Sequence, residues 1–385
     1  MKLQEARIQV KETALSLLRS GLVARSWGNI SCRLNDHQFV ITPSGRSYQD
    51  LRPEEIVIVN ISDEKHWGGT LPSVEKGLHL DIYKMRPEVN AIVHTHQTEA
   101  SALSAMEAGL PAKYDAAFGG SVRCGAYGFP GSEELRQNIK AEFLNGAGNA
   151  VLMSHHGAVC CGSDLGEAFR CAFILERTCE QYFFAACKRT YGAQWYPSMF
   201  VYEKLFQEKG REFPSVIPYL GNADVVDNET QIYGEIEGGS FSLSEDPDLT
   251  EQVFKAILAA RPDIRHIRQL VTPEVLTYSA LGENMPTYID DFAQINGAEM
   301  LRAAVEPEAI VAALGQNHGV LLANGGALCC GATEADTAAL ALVAEKNAHA
   351  ALIPTFFPGK EAQAVPLADC EKMRQFYLNS YSQRY

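Results

Sequence analysis

Residues 71–96, LPSVEKGLHLDIYKMRPEVNAIVHTH, set one carboxylate and two imidazoles close together in the chain. His94 and His96 end an apolar run, Val89 to Thr95, that reads as a strand. Side chains on a strand alternate between faces, so the two imidazoles point the same way and can hold one ion. Glu75 precedes GLHLDIYKM, where Leu78, Ile82 and Met85 recur at helical spacing up to Pro87. That spacing predicts a helix with Glu75 at its head, where the chain can fold the carboxylate back towards the histidines. A third imidazole follows a second apolar run, Ala150 to Met153, in Ser154-His155-His156-Gly157. Three imidazoles and a carboxylate suit zinc or a similar first-row divalent ion and leave room for a substrate oxygen. A lone histidine in an apolar strand is usually a satisfied core residue, so the metal reading rests on the combination.

The elements that must position these groups are legible around them. An opening helix ends near Ser20-Gly21, and WGNISCRL passes from a Gly28-Asn29 turn into a strand. Phe39-Val40-Ile41 leads into Thr42-Pro43-Ser44-Gly45, a second turn rich in donors, and both turns can offer backbone N–H groups to an anion. Each turn taken singly is an ordinary loop signal. Ser163-Asp164 caps a long helix whose buried face is read as Leu165, Ala168, Phe169, Ala172 and Leu175.

Gly28-Asn29-Ile30-Ser31, Ile41-Thr42-Pro43-Ser44-Gly45, Leu71-Pro72-Ser73 with Glu75, His94-Thr95-His96 and His156-Gly157 occur in the order seen in class II aldolase/adducin proteins, and the chain resembles that family over about residues 5–190. The resemblance implies an α/β/α sandwich with a mostly antiparallel central sheet flanked by helices. Carried over by motif, His94, His96 and His156 would be the metal ligands, and Glu75 the acid/base residue that also reaches the metal. Gly28, Asn29, Ser44, Gly45 and Ser73 would hold the substrate's anionic end. Family members use a tyrosine from a neighbouring subunit to protonate the departing alkoxide; its counterpart here is Tyr114, in a loop shorter than the aldolase pattern. The implied activity is metal-dependent cleavage, by aldol chemistry or decarboxylation, of a small sugar, sugar acid or sugar phosphate through a stabilised enediolate. An epimerase or isomerase on the same site and a non-catalytic adducin-like scaffold are the alternatives. Zinc is the first choice of cofactor, with Mn2+, Co2+ or Fe2+ behind it. The family pattern has two serines before the acid/base Glu, whereas this chain has Ser73-Val74-Glu75. The lost hydroxyl points to a carboxylate or uncharged end in place of a phosphate.

At 385 residues, 46% hydrophobic and 21% charged, the chain is long enough for two domains and apolar enough to bury a core in each. A net charge of −14 argues against a nucleic-acid partner, which would need a basic stripe. The N-terminal stretch MKLQEARIQVKETALSLLRSG carries charges throughout, unlike a signal peptide, and no apolar run spans a membrane. A cytoplasmic protein without membrane contact is therefore expected, and the family resemblance implies a homo-oligomer acting on a carbohydrate-like substrate. None of the ten cysteines forms C-x-x-C, and Cys160-Cys161 and Cys329-Cys330 are read as small buried apolar residues.

The second half repeats the first. Val320 to Gly331 aligns without a gap on Val151 to Gly162, and Arg261-Pro262-Asp263 on Arg86-Pro87-Glu88. Counting from these anchors sets Thr250 at Glu75, Gln269 at His94, Val271 at His96 and Gly325 at His156. The expectation is a catalytic domain over 1–205 and a degenerate copy over 206–385, with loops around Tyr191-Gly192 and Glu237-Gly238-Gly239-Ser240 near the junction. His318-Gly319 imitates the His-Gly motif but stands at the wrong spacing and is read as structural. The second unit's Met285-Pro286-Thr287-Tyr288 parallels the Tyr114 loop, which suggests a built-in partner.

Overall fold

The structure, a computed structural model, describes residues 2–25, 27–193, 205–207, 214, 216–226, 229–233 and 242–381. Glu237-Gly238-Gly239-Ser240 and most of the segment around the expected junction near residue 205 lie outside the described residues. Two compact units are present, the first running to Tyr182 and the second from Phe183 to Leu378. Among the described residues no helix is long and apolar enough to cross a membrane.

Through the first unit the chain forms α1 (Leu3–Arg19), β1 (Asn29–Asn35), β2 (Gln38–Ile41), β3 (Val57–Asn60), β4 (His66–Trp67), α2 (Lys76–Met85), β5 (Ala91–Thr95), α3 (Thr98–Ala105), β6 (Ser121–Gly125), α4 (Glu133–Leu144), β7 (Ala147–Met153), β8 (Gly157–Gly162) and α5 (Leu165–Tyr191), whose residues from Phe183 on belong to the second unit. The eight strands make one sheet in the order β4-β3-β2-β1-β5-β8-β7-β6. Every pairing is antiparallel except β6 with β7. Strand alternation divides the sheet. Ile92, Val151, Met153, Val159 and Cys161 face a core shared with Leu78 and Ile82 of α2 and with Leu135 and Ile139 of α4. His94 is two residues beyond Ile92 and so lies on the face that α2 covers. The adjacent Cys160 and Cys161 are both buried, and burial pushes the Cys161 thiol up to about 12, which keeps it inert.

Helix α5 is capped by Asp164, whose Oδ1 accepts from the Glu167 N–H at 2.8 Å. Leu165, Ala168, Ala172 and Leu175 are buried as expected; Phe169 is only half-buried, because it stands at the edge of that apolar stripe.

The second unit reproduces the central part of this sheet. Its strands run in the order Glu229–Tyr233, Asn222–Val226, His266–Leu270, Gly326–Gly331, Gly319–Leu322, Arg302–Ala303. This is the order β2-β1-β5-β8-β7-β6, again antiparallel but for the last pair. Register agrees to the residue: His94 pairs with Val159 and Gln269 with Leu328, while Ala91 pairs with Gly162 and His266 with Gly331. The Arg-Pro-acid motif works alike in both units. Arg86 Nη1 donates to the Gly148 carbonyl at 2.9 Å, and Arg261 Nη1 to that of Asn317 at 2.8 Å.

Candidate metal centre

Three backbone features bring the site together. Helix α2 begins immediately after Glu75, so the carboxylate stands at its N-terminal end. The turn from β7 to β8 closes with the His156 N–H donating to the Met153 carbonyl at 2.9 Å, and it puts His155 in the left-handed region at φ 59°. Gly157 lets this turn press against the end of β5, since a Cβ there would collide with the Thr95 carbonyl. On the other side Gly28, at φ 95°, allows β1 to approach so closely that a Cβ would stand 2.5 Å from the His94 carbonyl oxygen. Any side chain at Gly28 or Gly157 would have to displace the backbone that carries His94 and His96.

The three imidazoles then converge. His94 Nε2 lies 3.0 Å from His96 Nε2 and 3.0 Å from His156 Nε2. Glu75 closes the group, with Oε2 3.2 Å from His94 Nε2 and Oε1 3.1 Å from His156 Nε2. All four residues are buried. His94 Nδ1 faces the Ala158 carbonyl at 2.9 Å, and a carbonyl can only accept, so the hydrogen sits on Nδ1 and a bare lone pair on Nε2 points inward. Nitrogens bound to one tetrahedral zinc lie about 3.3 Å apart for bonds of about 2.0–2.1 Å, and the observed separations fit such a site. The His94 Nε2 lone pair is crowded by two ring nitrogens and a carboxylate oxygen in a buried pocket, an arrangement that a cation would relieve.

Burial drives His94 well below the ordinary imidazole value, against the pull of Glu75, so it stays neutral and able to ligate. A proton entering the cluster goes to an imidazole before it goes to Glu75: burial alone would raise the carboxyl, but attraction to a protonated His94, His156 or His96 outweighs it and holds Glu75 well below the ordinary carboxylate value.

The remaining expected residues divide between the site's rim and elsewhere. The Ser73 hydroxyl accepts from the Glu75 N–H at 3.2 Å, and Pro43 and Pro72 form an isolated bridge, so the Thr42–Gly45 turn and the Ser73 segment are neighbours. The Ser44 N–H donates to the Leu71 carbonyl at 3.0 Å, and Gly45 takes φ 63°. Gly28 and Asn29 open β1 beside His94. The Asn29 side chain, expected among the anion-binding groups, bridges Glu75 and His79 instead. Tyr114 lies on a 3-10 turn, Ala112–Ala117, where its ring meets Tyr182 edge-on at 6.3 Å and Lys113 sits over it. The structure does not bring Tyr114 to the imidazoles.

Sequence reasoning missed His79, Ser31 and Tyr83. The signal was available: His79 and Tyr83 stand four and eight residues after Glu75 on one helix face, and Ser31 two residues after Asn29 on one strand face. His79 is fully buried, and burial lowers it to about 4, opposed by Glu75. The fold therefore favours its neutral ring. Its contribution to stability is complete above the unfolded imidazole value of about 6.5 and is lost as pH falls from there towards about 4, by about 3 kcal/mol at most. Urea midpoints measured near pH 7 and 4.5 should fall further in wild type than in His79→Phe; equal drops would remove His79 from the account.

In the second unit the space is filled. Gln269, in the place of His94, donates from Nε2 to the Pro218 and Gly325 carbonyls at 2.9 and 2.8 Å, and its Oε1 accepts from the Leu220 N–H at 2.6 Å. A Cβ on Gly325, in the place of His156, would stand 3.1 Å from Pro218 Cγ, so an imidazole has no room there. Val271 and Thr250 are buried in the places of His96 and Glu75. His318 Nδ1 faces Arg374 Nη2 at 2.6 Å, and burial lowers it to about 4, so it serves as a neutral acceptor.

The left-handed residue of the turn offers a contained test. Asn324 takes φ 59° at the place of His155, and asparagine tolerates that region better than most residues. His155→Asn should keep full metal content and cost under about 1 kcal/mol, whereas the β-branched His155→Val should destabilise by about 1–3 kcal/mol. Denaturant unfolding of the two variants checks this.

A family profile described as the class II aldolase and adducin N-terminal domain matches residues 8–183 and again residues 225–352. The chain is 34% identical over 177 residues to L-fuculose phosphate aldolase of Escherichia coli strain K12, covering 45% of this chain and 80% of that protein. It is 33% identical over 186 residues to 5-deoxy-D-ribulose 1-phosphate aldolase of Bacillus thuringiensis serovar kurstaki, covering 48% and 86%. It is also 33% identical over 184 residues to 3-oxo-tetronate 4-phosphate decarboxylase of Haemophilus influenzae, covering 45% and 86%.

Proposed function

Since the chain belongs to the class II aldolase and adducin family, we propose that its first unit is a zinc-dependent lyase that breaks the bond between the carbons α and β to the carbonyl of a small sugar phosphate. The observation that carries this reading is the convergence of three inward imidazole nitrogens on the Glu75 carboxylate. His94, His96 and His156 would hold the ion, with Glu75 in reach of it. The ion's chemistry is Lewis acidity towards a carbonyl and a neighbouring hydroxyl oxygen, which lowers the cost of charge developing there.

The chain's own groups do the rest. Glu75, held ionised, takes a proton from the substrate hydroxyl or the carbon acid and returns it. The Gly28-Asn29 and Thr42–Gly45 turns, with Ser73, present donors to the phosphate. Tyr114, whose ring packs on Tyr182, would serve a neighbouring copy by hydrogen-bonding the β-oxygen as its proton leaves and the aldehyde forms, which makes a homo-oligomer part of the reading. Val74 is 53% exposed and does not fill the anion turn. Together with the phosphate esters named for the relatives, this favours a phosphate over the carboxylate or uncharged end that the missing hydroxyl suggests.

Metal analysis and a cleavage assay test the proposal. One zinc per chain and release of a three-carbon or two-carbon fragment from L-fuculose 1-phosphate or 5-deoxyribulose 1-phosphate are expected. A chain purified without chelators that takes up no divalent ion would sink it. Val74→Ser adds one hydroxyl to the cradle and should raise kcat/KM for the phosphate about tenfold over its unphosphorylated sugar. A wild type that prefers the unphosphorylated sugar would restore the carboxylate or uncharged reading.

A further inference from the structure

Behind Glu75 runs a continuous buried line of polar side chains. Asn29 Nδ2 lies 2.8 Å from Glu75 Oε2, and Asn29 Oδ1 2.5 Å from His79 Nε2. Ser31 Oγ stands 2.7 Å from His79 Nδ1 and 2.8 Å from the Tyr83 hydroxyl. Asn29, Ser31, His79 and Tyr83 are each no more than 4% exposed. Burying four polar side chains is costly unless each is paired, and here each is.

The chemistry of the end group gives the line one direction. A carboxylate only accepts, so Asn29 turns its N–H towards Glu75 and its carbonyl oxygen towards His79. That oxygen also only accepts, so His79 carries its hydrogen on Nε2 and, being neutral, has a bare Nδ1. Ser31 must then donate to Nδ1 and accept from Tyr83. Every donor points towards Glu75, and aligned hydrogen bonds polarise one another.

The second unit supplies an internal control. The register that pairs Ser31 with Ile92 pairs Ala223 with Ile267, so Ala223 stands for Ser31 and Gly221 for Asn29. Counting from the shared Arg-Pro motif sets Phe254 at His79 and Leu258 at Tyr83. All four polar members are absent where Glu75 is replaced by Thr250, yet Val253 and Ile257 stay buried in the places of Leu78 and Ile82. The fold is built equally well without the line. Its presence goes with the carboxylate.

We propose that Tyr83, Ser31, His79 and Asn29 form a directional positioning chain that fixes the orientation of Glu75 for its acid/base step. The kinetic part of this proposal rests on the lyase reading above; the structural part does not. In the metal-stripped full chain labelled with 15N-histidine, His79, assigned by its loss in His79→Phe, should show the neutral Nε2–H tautomer between about pH 6 and 9. Ser31→Ala should erase that preference and Ser31→Thr, which keeps the hydroxyl, should restore it. In the zinc-loaded protein, His79→Phe, Ser31→Ala and Tyr83→Phe should each lower kcat about ten- to a hundredfold while zinc affinity stays at the wild-type value. In a Glu75→Gln background, adding His79→Phe should cost nothing more, because the group it acts through is gone. An Nδ1–H or protonated His79, or losses that multiply in the double variant, would overturn the proposal. If wild type cleaves neither sugar phosphate, the lyase reading fails and the tautomer alone decides the positioning chain.

Discussion

Replacing His94 with alanine is expected to empty the metal site and end turnover in one step. His94 Nε2 is the hub of the group, 3.0 Å from both other Nε2 atoms and 3.2 Å from Glu75 Oε2. Its alignment comes from the Ala158 carbonyl behind it, and at 0% exposure no water can take over its role without rearrangement. With two imidazoles left, zinc per chain should fall from about one to below about a tenth. The Lewis-acid contribution is several kcal/mol, so kcat/KM should fall by about a thousandfold or more. Metal analysis and a cleavage assay on the same preparation check both. A variant that keeps its zinc would move the hub to another residue, and one that keeps its rate would remove the metal from the mechanism.

Glu75→Gln should separate the two functions that His94→Ala removes together. Glutamine has the same shape, and its carbonyl oxygen can still accept from Asn29 Nδ2, now 2.8 Å from Glu75 Oε2. The three imidazoles are untouched, so zinc content should remain close to that of wild type. Proton transfer has no carboxylate to run through, and kcat should fall by about a hundred- to ten-thousandfold. KM should move little, because the anion turns do not depend on this charge. Loss of zinc in step with activity would make Glu75 chiefly a ligand instead of a base.

Local chemistry made the candidate ligand set readable. Strand alternation aimed His94 in β5 and carried over to His96 one residue past its end, the helical period put Glu75 at the head of α2, and the Ser154–Gly157 turn delivered His156. The repeat was readable for the same reason: matching twelve residues without a gap fixed strand register, and the sheet pairings agree with that count. Each of these inferences spans only a few residues of backbone geometry, which the side-chain sequence carries directly.

What the sequence did not carry lies across long separations. The hydrogen bonds between Ser31 and His79, Ser31 and Tyr83, and Asn29 and His79 join residues 48, 52 and 50 positions apart. Whether those polar groups meet depends on the rotation of α2 over β1, which is set by Leu78 and Ile82 packing into the core with Ile92. The same holds for Gln269, whose amide fills the degenerate site only because Pro218, Leu220 and Gly325 surround it in space. The amino-acid sequence alone determined which groups could bind a metal and that only the first unit kept them. Tertiary packing alone decided which buried neighbours hold Glu75, because hydrogen-bond partners are chosen by the docking of elements and not by their order in the chain.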